Sequence, residues 1–294
     1  MTEDEAAHRP GAAAEADPAT EPDPATEPAQ APGADVATAS ATAAVLAWQA
    51  AAPDAVLLDG FHALKHALRF GARVRTAVSS DKAAALRLAA ELAPDLAEEL
   101  AARVTEIPAA ALRGLVTRVH PTAVAALADR RDRAANLALL AERPRQAPVV
   151  VLDSPRNLGN VGAVIRLAAG FGVTGVVSTG DLDPWHPNAL RAGAGLHYAT
   201  AVERTAADAL PPGPLYVLDP EGKDIRSVEL PDDALIVFGS ERHGVSDELR
   251  GRAAELVALP MRPQVSSYNL ATSVGMALFH WAATSRSPRV PGRP

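Results

Sequence analysis

Arg166 lies in the middle of a strongly apolar stretch, six residues after Asn160. The segment 154–172, SPRNLGNVGAVIRLAAGFG, follows an apolar run at 147–152 and begins with Gly and Asn residues. A helix that starts there presents free backbone N–H groups and the positive end of its dipole. A charged side chain among apolar neighbours needs a partner or a cleft. The pattern predicts a strand, a tight turn and a helix that handle an anion or a proton, with a helix-face ion pair as the alternative for Arg166.

Two further polar turns follow predicted strands. The first, FGSERHGVSDEL, opens with Gly239, where backbone can approach a ligand closely, and carries Glu241. Glu241 is either a helix-capping acid or a group that holds Arg166 or orients a substrate. The second turn, LPMRPQVSSYN, has Ser267 and Asn269 just before a helix, where either residue is a good N-cap. Since ligands of open parallel sheets bind beyond the carboxyl ends of the strands, we expect the three turns to share one crevice.

Several kinds of site are excluded by spacing and composition. The turn at 154–162 lacks the G-x-G-x-x-G spacing of dinucleotide-binding proteins and the G-K-[ST] of a P-loop. The chain has no G-x-S-x-G elbow for a serine hydrolase. It contains no cysteine, so it has neither a thiol nucleophile nor a cysteine-based metal site. We expect a reaction that needs no metal.

The net charge of −7 is unevenly distributed along the 294 residues. Residues 1–36 contain nine acidic residues and one arginine, which leaves 26 acidic and 27 basic residues for the rest. The folded part is therefore close to neutral, and its overall charge does not exclude RNA as a partner. The acidic N-terminus has no apolar core typical of a signal peptide, and no run is long enough for a membrane span. We expect a cytoplasmic protein with no membrane partner.

Strand and helix signals alternate along the chain and predict an α/β protein with two mostly parallel sheets. We expect a smaller domain at 43–128, a charged helical linker at 129–146 and a second domain at 147–284. Residues 1–42 are rich in Ala, Pro, Glu, Asp and Thr, with DPATEP repeated, so we predict that they are disordered. The Pro/Arg-rich residues 285–294 are predicted to be a frayed tail.

Six basic residues cluster around the first helix of the smaller domain: His62, Lys65, His66, Arg69, Arg73 and Arg75. A solvated polar face and an RNA-contacting face are equally good interpretations of this cluster. His120, a loop histidine before proline, is interpreted as structural.

Three motifs in this order resemble the motifs of the SpoU/TrmH-type RNA 2′-O-ribose methyltransferases of the SPOUT class. They are Asn160-x5-Arg166, FGSE at 238–241, and LPM at 259–261 with SSYN at 266–269. The resemblance covers residues 147–284 and implies a parallel-sheet domain whose C-terminal chain forms a deep trefoil knot. LLDGFHALKHAL and VHPTAVAAL within residues 54–128 are similar to the family's accessory substrate-binding domain, which resembles a ribosomal protein.

The resemblance implies specific roles for residues of this chain. The cofactor is S-adenosylmethionine, and the implied cofactor-binding residues are Gly239, Leu259, Met261, Tyr268 and Asn269. Arg166 is implied to act on the ribose 2′-hydroxyl as its base or activator, and the residues implied to position it and the substrate are Asn160, Glu241, Ser267 and Asn269. The family is dimeric, with the active site built across the interface between two copies.

The chain departs from the family pattern at Tyr268, where leucine is usual, and at Arg242-His243 after the motif-two glutamate. The expected activity is methylation of a ribose in structured RNA, with 23S rRNA favoured and tRNA as the other candidate. An rRNA methyltransferase that confers antibiotic resistance is a variant of the same reaction. A non-catalytic RNA-binding protein that retains the knotted fold is the alternative.

Overall fold

The computed structural model describes residues 32–284. The helices are α1 Pro32–Ala51, α2 Phe61–Arg69, α3 Lys82–Leu92, α4 Ala97–Arg103, α5 Ala109–Leu115, α6 Arg133–Ala141, α7 Leu158–Phe171, α8 Pro187–Ala192, α9 Asp247–Gly251 and α10 Leu270–Thr284. The strands are β1 Val56–Asp59, β2 Val74–Ser79, β3 Val104–Glu106, β4 Val124–Ala128, β5 Val149–Leu152, β6 Gly175–Ser178, β7 Ala201–Arg204, β8 Leu215–Asp224, β9 Leu235–Phe238 and β10 Glu255–Ala258.

The smaller sheet has the order β1-β4-β2-β3 and is mixed, not mostly parallel as predicted. Strand β4 lies between β1 and β2 and is antiparallel to both, and only the β2–β3 pair is parallel. All five residues of β4 are buried, which suits a central strand. Alternating strand and helix signals do not give the direction of a strand such as β4, which comes last in the sequence but lies between β1 and β2 in the sheet.

The larger sheet has the order β10-β8-β9-β5-β6-β7, and all of its pairs are parallel, as predicted. Strands β5 and β9 are buried at every residue, because helices cover both faces of such a sheet. The chain moves from β5 toward β7 and then returns to the other side of β5. This reversal between β5 and β9 is a topological switch point, where ligands of α/β sheets bind.

Helix α7 carries both Asn160 and Arg166 and packs against α8 and α10. Gly162 permits the close approach to α8, since a Cβ at this position would overlap the Ala189 carbonyl oxygen. Gly172 ends the helix in the left-handed conformation with φ of 67°, the usual geometry of a glycine C-cap. Helix α7 therefore ends at Phe171, within the predicted strand, turn and helix segment.

The two sheets are tied together by polar contacts and a shared apolar core. Asp59 at the end of β1 is 6% exposed and forms an ion pair with Arg191 on α8. His66 Nδ1 lies 2.8 Å from the Ala194 carbonyl oxygen, and Tyr198 donates its hydroxyl hydrogen bond to the Asp129 carbonyl oxygen at 2.7 Å. These contacts tie β1, α2 and the end of β4 to the second domain.

Residues 129–146 contain a helix, as predicted, but it packs on the second sheet. On α6, Asn136 is fully buried and donates to the Val202 carbonyl oxygen and to Glu203. Arg133 pairs with the same buried glutamate at 2.8 Å. The segment therefore belongs to the core of the larger domain on its β7 side.

Helix α1 starts at Pro32, so residues 32–42 are helical and not disordered as predicted. Alanine-rich sequence favours a helix, and Trp48 anchors its far end with only 3% exposure. Ala41, Ala44 and Val45 pack on the same apolar cluster. The predictions for residues 1–31 and 285–294 lie outside the described residues. Between residues 32 and 284, none of the helices combines the length and apolar character of a membrane span.

Candidate functional site

The three polar turns meet at the carboxyl end of the larger sheet through the side chain of Asn160. Its Nδ2 donates to Glu241 Oε1 at 2.7 Å, and its Oδ1 accepts from Asn269 Nδ2 at 3.1 Å. One amide thus joins the turns after β5, β9 and β10, as the shared crevice predicted. We call Asn160, Glu241 and Asn269 the exposed network, because Glu241 and Asn269 are exposed and Asn160 is half-buried.

Glu241 accepts hydrogen bonds from the residues at the start of α7. It makes no bond to Arg166, so the interpretation that it holds Arg166 is wrong for this chain. Its Oε2 accepts the backbone N–H of Arg156 at 3.1 Å, just before the N-cap residue Asn157. Burial opposes its charge, but the hydrogen bonds from Asn160 and from the backbone outweigh it and lower the pKa of Glu241. Glu241 is thereby kept as a carboxylate that accepts hydrogen bonds.

Asn269 combines the capping role and the site role that the sequence left open. Its Oδ1 accepts the N–H groups of Ala271 and Thr272 at 2.9 and 3.4 Å, so it caps α10. Its Nδ2 donates to Asn160 at the same time. Ser267 is exposed and makes no hydrogen bond within residues 32–284. It is therefore available to a ligand but is not positioned by the chain.

Asp153 forms a second, buried network behind the exposed one. It is 5% exposed and follows β5 directly. Its Oδ1 accepts from the Thr179 hydroxyl at 2.9 Å, and its Oδ2 accepts the N–H of Ser246 at 2.7 Å. We call Asp153, Thr179 and Ser246 the buried network. It links the turn after β5 to the end of β6 and to the loop after β9.

Gly239 is required by its own loop, a role that the sequence did not predict. A Cβ at Gly239 would overlap the backbone of Gly244 and Val245. The loop folds back on itself through paired hydrogen bonds between Ser240 and Gly244, at 2.9 and 3.1 Å. The glycine therefore shapes the turn that presents Glu241.

Arg166 is exposed, and no carboxylate of residues 32–284 pairs with it. The helix-face ion pair is therefore absent from the described part of the chain. Six residues of helix separate Arg166 from Asn160, about 9 Å along the axis. Burial is the main cause of the lowered pKa of His62 and of Lys65 on α2, and the charge of Arg166 adds a smaller effect to both. The structure thus joins Asn160, Glu241 and Asn269 directly and leaves Arg166 apart from them.

The arginines of residues 147–284 divide into two groups by their contacts. Five of them bond to carboxylates or backbone carbonyls: Arg191, Arg204, Arg226, Arg250 and Arg252. The side chains of the other four make no such bond to a described residue, and all four lie at the three turns or on α7: Arg156, Arg166, Arg242 and Arg262. Unpaired positive charge is concentrated at one edge of the domain, which is the pattern expected where an anion binds.

The segment between β10 and α10 exposes apolar side chains at the same edge of the sheet. The side chains of Val265 and Tyr268 are 48% and 37% exposed, and the Tyr268 hydroxyl donates to the Pro260 carbonyl oxygen at 2.9 Å. Leu259 and Met261 at its start are half-buried. Exposed apolar groups beside a mostly unpaired backbone suit a flat heteroaromatic ring with hydrogen-bonding edges.

Two residues that matter at this edge were not singled out from the sequence, Asp153 and Arg156. Both follow the buried strand β5 within four residues. Polar side chains at the carboxyl end of a parallel strand are the signal that indicates them. His120 is structural, as predicted: its Nδ1 lies 2.9 Å from the Thr122 hydroxyl, and its ring fills the space beside Gly60. No group of three or more potential metal ligands occurs in residues 32–284.

The fold is shared with solved methyltransferase structures along most of the chain. The crystal structure of the SpoU methyltransferase AviRb from Streptomyces viridochromogenes matches with a TM-score of 0.65 at 22% identity, covering 82% of this chain and 96% of that one. An AdoMet-bound rRNA methyltransferase from Sinorhizobium meliloti matches with a TM-score of 0.65 at 20% identity, covering 87% and 97%. These matches show that the chain shares the α/β fold of those structures.

The family is given by the sequence of the second domain. The model of the SpoU rRNA Methylase family matches residues 147–279. A Streptomyces laurentii protein named 23S rRNA (adenosine(1067)-2′-O)-methyltransferase is 31% identical over 152 residues, covering 47% of this chain and 55% of that protein. The chain spans about half the length of the curated relatives it matches. The match to this family model over residues 147–279 confirms the resemblance drawn from the three motifs.

Proposed function

We propose that this protein transfers a methyl group from S-adenosylmethionine to a ribose 2′-hydroxyl in structured RNA. The observation that carries the proposal is the exposed network, in which one asparagine ties the three turns into a single site. The unpaired arginines around that site supply the charge that a polyanionic substrate requires. The similarity to a named 23S rRNA 2′-O-methyltransferase supports rRNA as the substrate, with tRNA as the other candidate.

The loop between β10 and α10 is proposed to bind the cofactor, together with the turn at Gly239. Leu259, Met261 and Tyr268 provide apolar contacts, and the backbone of the loop provides hydrogen-bonding groups for the adenine edge. When bound, S-adenosylmethionine supplies an electrophilic methyl group on a sulfonium centre. Asn269 caps α10 and bonds to Asn160, so it couples the cofactor loop to the substrate side of the site.

Arg166 is proposed to act on the substrate hydroxyl, with Asn160, Glu241 and Ser267 positioning the ribose. A ribose hydroxyl is a weak nucleophile that must give up its proton, here to solvent water, as the oxygen bonds to the methyl carbon. A guanidinium keeps its own charge, so its contribution is to orient the hydroxyl and stabilise the developing negative oxygen. The exposure of Arg166 leaves its donors free for this role.

A homodimer is proposed, because one copy leaves Arg166 apart from the exposed network. On α10, Phe279 is 68% exposed, and Met276 one turn before it is half-buried. Gly275 on this side packs close to Leu167 of α7, so the two helices present one surface. A second copy covering it would bring its own site edge near Arg166.

Light scattering after gel filtration tests the dimer. Phe279→Glu should convert the protein to a monomer and abolish methyl transfer, whereas Leu139→Glu on α6 should leave the dimer intact. A wild-type monomer in solution would refute this part of the proposal.

The trefoil knot and the role of residues 43–128 in substrate binding also belong to the proposal. In such a knot the C-terminal part of the chain passes through a loop of the larger domain. This path would place the cofactor loop beside the turn after β9. The likeness to AviRb, which covers 82% of this chain, supports both features at the level of fold.

Mapping of ribose methylation tests the reaction itself. RNA from cells with and without the protein is compared for 2′-O-methyl groups, and the modified RNA is reproduced with purified protein and S-adenosylmethionine. The expected result is one or a few sites that depend on the protein and are lost with Arg166→Ala. RNA binding without methylation, and without calorimetric binding of S-adenosylmethionine, would establish the alternative of a non-catalytic RNA-binding protein.

A further inference from the structure

The loop between β10 and α10 spans residues 259–269 and is anchored at both ends. Leu259 packs against the main apolar core, and Leu270, the first residue of α10, is only 6% exposed in the same core. Between them, residues 262–269 are all exposed. Exposed segments with few buried contacts open easily, so the bonds made within this loop decide how well it is ordered.

The tip of the loop is a tight turn. The Val265 N–H donates to the Arg262 carbonyl oxygen at 3.2 Å, and Gln264 has a φ of 71°. Proline at the second position and a positive φ at the third are features of a type II turn, and Pro263 stands at that second position. Of the backbone hydrogen bonds in the described residues, this is the one that lies wholly within the loop. It fixes the tip but not the separation of the two arms.

Tyr268 joins the two arms at the base of the loop. Its hydroxyl donates to the Pro260 carbonyl oxygen at 2.9 Å, across eight positions in the sequence. We call this hydrogen bond the latch. Proline has no N–H, so the carbonyl oxygen is the backbone group through which Pro260 can be held. The latch and the turn at the tip together restrain the loop from both ends.

The latch depends on the type of residue at position 268. Leucine, which is usual there in the family that the motifs resemble, has no polar atom and cannot bond to a carbonyl. A tyrosine ring has only two side-chain torsions, so it can be held at a low cost in entropy. The Tyr268 side chain is 37% exposed, so burial does not hold it in place. The latch is therefore a property of this chain and not of the three motifs.

The neighbouring Asn269 is held independently of the latch. It caps α10 through the Ala271 N–H and bonds to Asn160. The start of α10 and the exposed network therefore keep their own contacts when the latch is broken. Loss of the Tyr268 hydroxyl should free the loop and leave both of these in place.

We propose that the latch holds the loop in its cofactor-binding conformation before S-adenosylmethionine arrives. The proposal rests on the proposed function for the identity of the ligand. When only a fraction of the molecules has the binding conformation, the apparent affinity falls in proportion to that fraction. Tyr268 raises the fraction, so it is a positioning residue that acts through the backbone of the loop. One hydrogen bond of this kind is expected to change the equilibrium about three- to ten-fold.

Cleavage by chymotrypsin tests the latch without any cofactor. The enzyme cuts after both tyrosine and phenylalanine, so Tyr268→Phe removes the hydroxyl and keeps the cleavage site at the 268–269 bond. Mass spectrometry follows this cleavage in the full-length protein, normalised to peptides of the same sequence. The rate should rise about three- to ten-fold in the variant, since cleavage follows the population of the open form. The melting temperature should not change.

Calorimetric titration with S-adenosylmethionine measures the consequence for binding. The dissociation constant of Tyr268→Phe should be about three- to ten-fold higher than that of the wild type. Tyr268→Leu, which removes the ring as well, should lose at least as much affinity. The matched control is Tyr216→Phe on β8, because the Tyr216 hydroxyl makes no hydrogen bond to a described residue. It should change neither the cleavage after residue 268 nor the binding of S-adenosylmethionine.

Three results would overturn the latch. The first is equal cleavage of the wild type and Tyr268→Phe. The second is normal cofactor binding by Tyr268→Phe with a loss in Tyr268→Leu, which would assign the effect to the ring. The third is tighter binding by Tyr268→Phe, which would show that the hydroxyl occupies a carbonyl that the cofactor needs. A wild-type protein that does not bind S-adenosylmethionine refutes the methyltransferase proposal, and the cleavage rates still decide whether the latch holds the loop.

Discussion

Two polar networks hold the same edge of the larger sheet, and they differ in their access to water. The buried network is centred on Asp153, which is 5% exposed and has both carboxylate oxygens occupied by donors from other turns. The exposed network is centred on Asn160, with Glu241 and Asn269 at the surface. Both link the turn after β5 to the loop after β9, but only the exposed network can also contact a ligand.

The difference in exposure suggests different roles: the buried network holds the turns in place, and the exposed network contacts the ligand. A buried hydrogen bond is costly to break, because the groups left behind lose water as well as their partner. An exposed hydrogen bond is easily replaced by water, so it contributes little to folding. We therefore expect substitutions in the buried network to reduce stability, and substitutions at the exposed edge to reduce turnover. Four variants test this division, in order of the expected size of effect.

The largest effect is expected for Arg166→Ala. Arg166 is exposed and unpaired among the described residues, so its loss should leave the melting temperature and S-adenosylmethionine binding unchanged. Removal of a charged donor from the developing oxyanion should lower kcat by about 10²- to 10³-fold. Single-turnover transfer of a tritiated methyl group measures this. Arg252→Ala, which loses an exposed arginine bonded to the Ala207 carbonyl oxygen, is the control. Wild-type turnover by Arg166→Ala would refute the role given to this residue.

Asp153→Ala should show the opposite pattern. It leaves the Thr179 hydroxyl and the Ser246 N–H without their acceptor, at a cost of about 2–4 kcal/mol in the free energy of unfolding. Urea unfolding measures the loss, and Asp153→Asn, which retains one acceptor oxygen, should lose about half as much. An unchanged urea midpoint would show that the buried network is not what holds the turns.

The sequence predicted the larger domain better than the smaller one, for a physical reason. Strands β5 and β9 are short, continuous apolar runs between polar turns, and their burial on both faces follows from that pattern alone. The direction of β4 depends on contacts with β1 and β2, which are distant in the chain. No local signal encodes such pairing, so the smaller sheet was predicted as mostly parallel and is mixed.

The site shows the same division between local and long-range information. Asn160 and Asn269 could be identified from their position before helices and from the family motifs. The partner of Glu241 could not, because it is set by how two loops from separate strands approach each other. The contact between Gly239 and the backbone of Gly244 and Val245 could not be predicted either, because it depends on how the loop folds back on itself. The isolation of Arg166 from the exposed network likewise depends on helix geometry over six residues.

Asn160→Ala sharpens the comparison within the exposed network. It removes the amide that joins Glu241 to Asn269, so the cofactor loop and the substrate side lose their connection. Misplacement of reacting groups should lower kcat by about ten- to a hundred-fold, with little change in the melting temperature. Asn157→Ala is a useful control, since it removes the N-cap of α7 and should reduce stability more than turnover. A large loss of stability in Asn160→Ala would remove the distinction between the two networks.

The smallest effect is expected for Glu241→Gln, and it should depend on pH. Hydrogen bonds from Asn160 and the Arg156 backbone hold the pKa of Glu241 below its usual value. A carboxylate whose folded pKa is lowered contributes stability that is present above its unfolded pKa, about 4.3, and is lost as the pH falls through the folded value.

The glutamine variant retains one acceptor for Asn160 but cannot accept the second hydrogen bond. Its melting temperature at pH 7 should therefore lie about one or two degrees below that of the wild type, since the site is exposed. The difference should shrink as the pH is lowered toward 3, because the wild type then loses its charge as well. Glu229→Gln, which removes another exposed carboxylate, should show no such convergence. A difference that stays constant across this range would mean that the charge of Glu241 does not hold the start of α7.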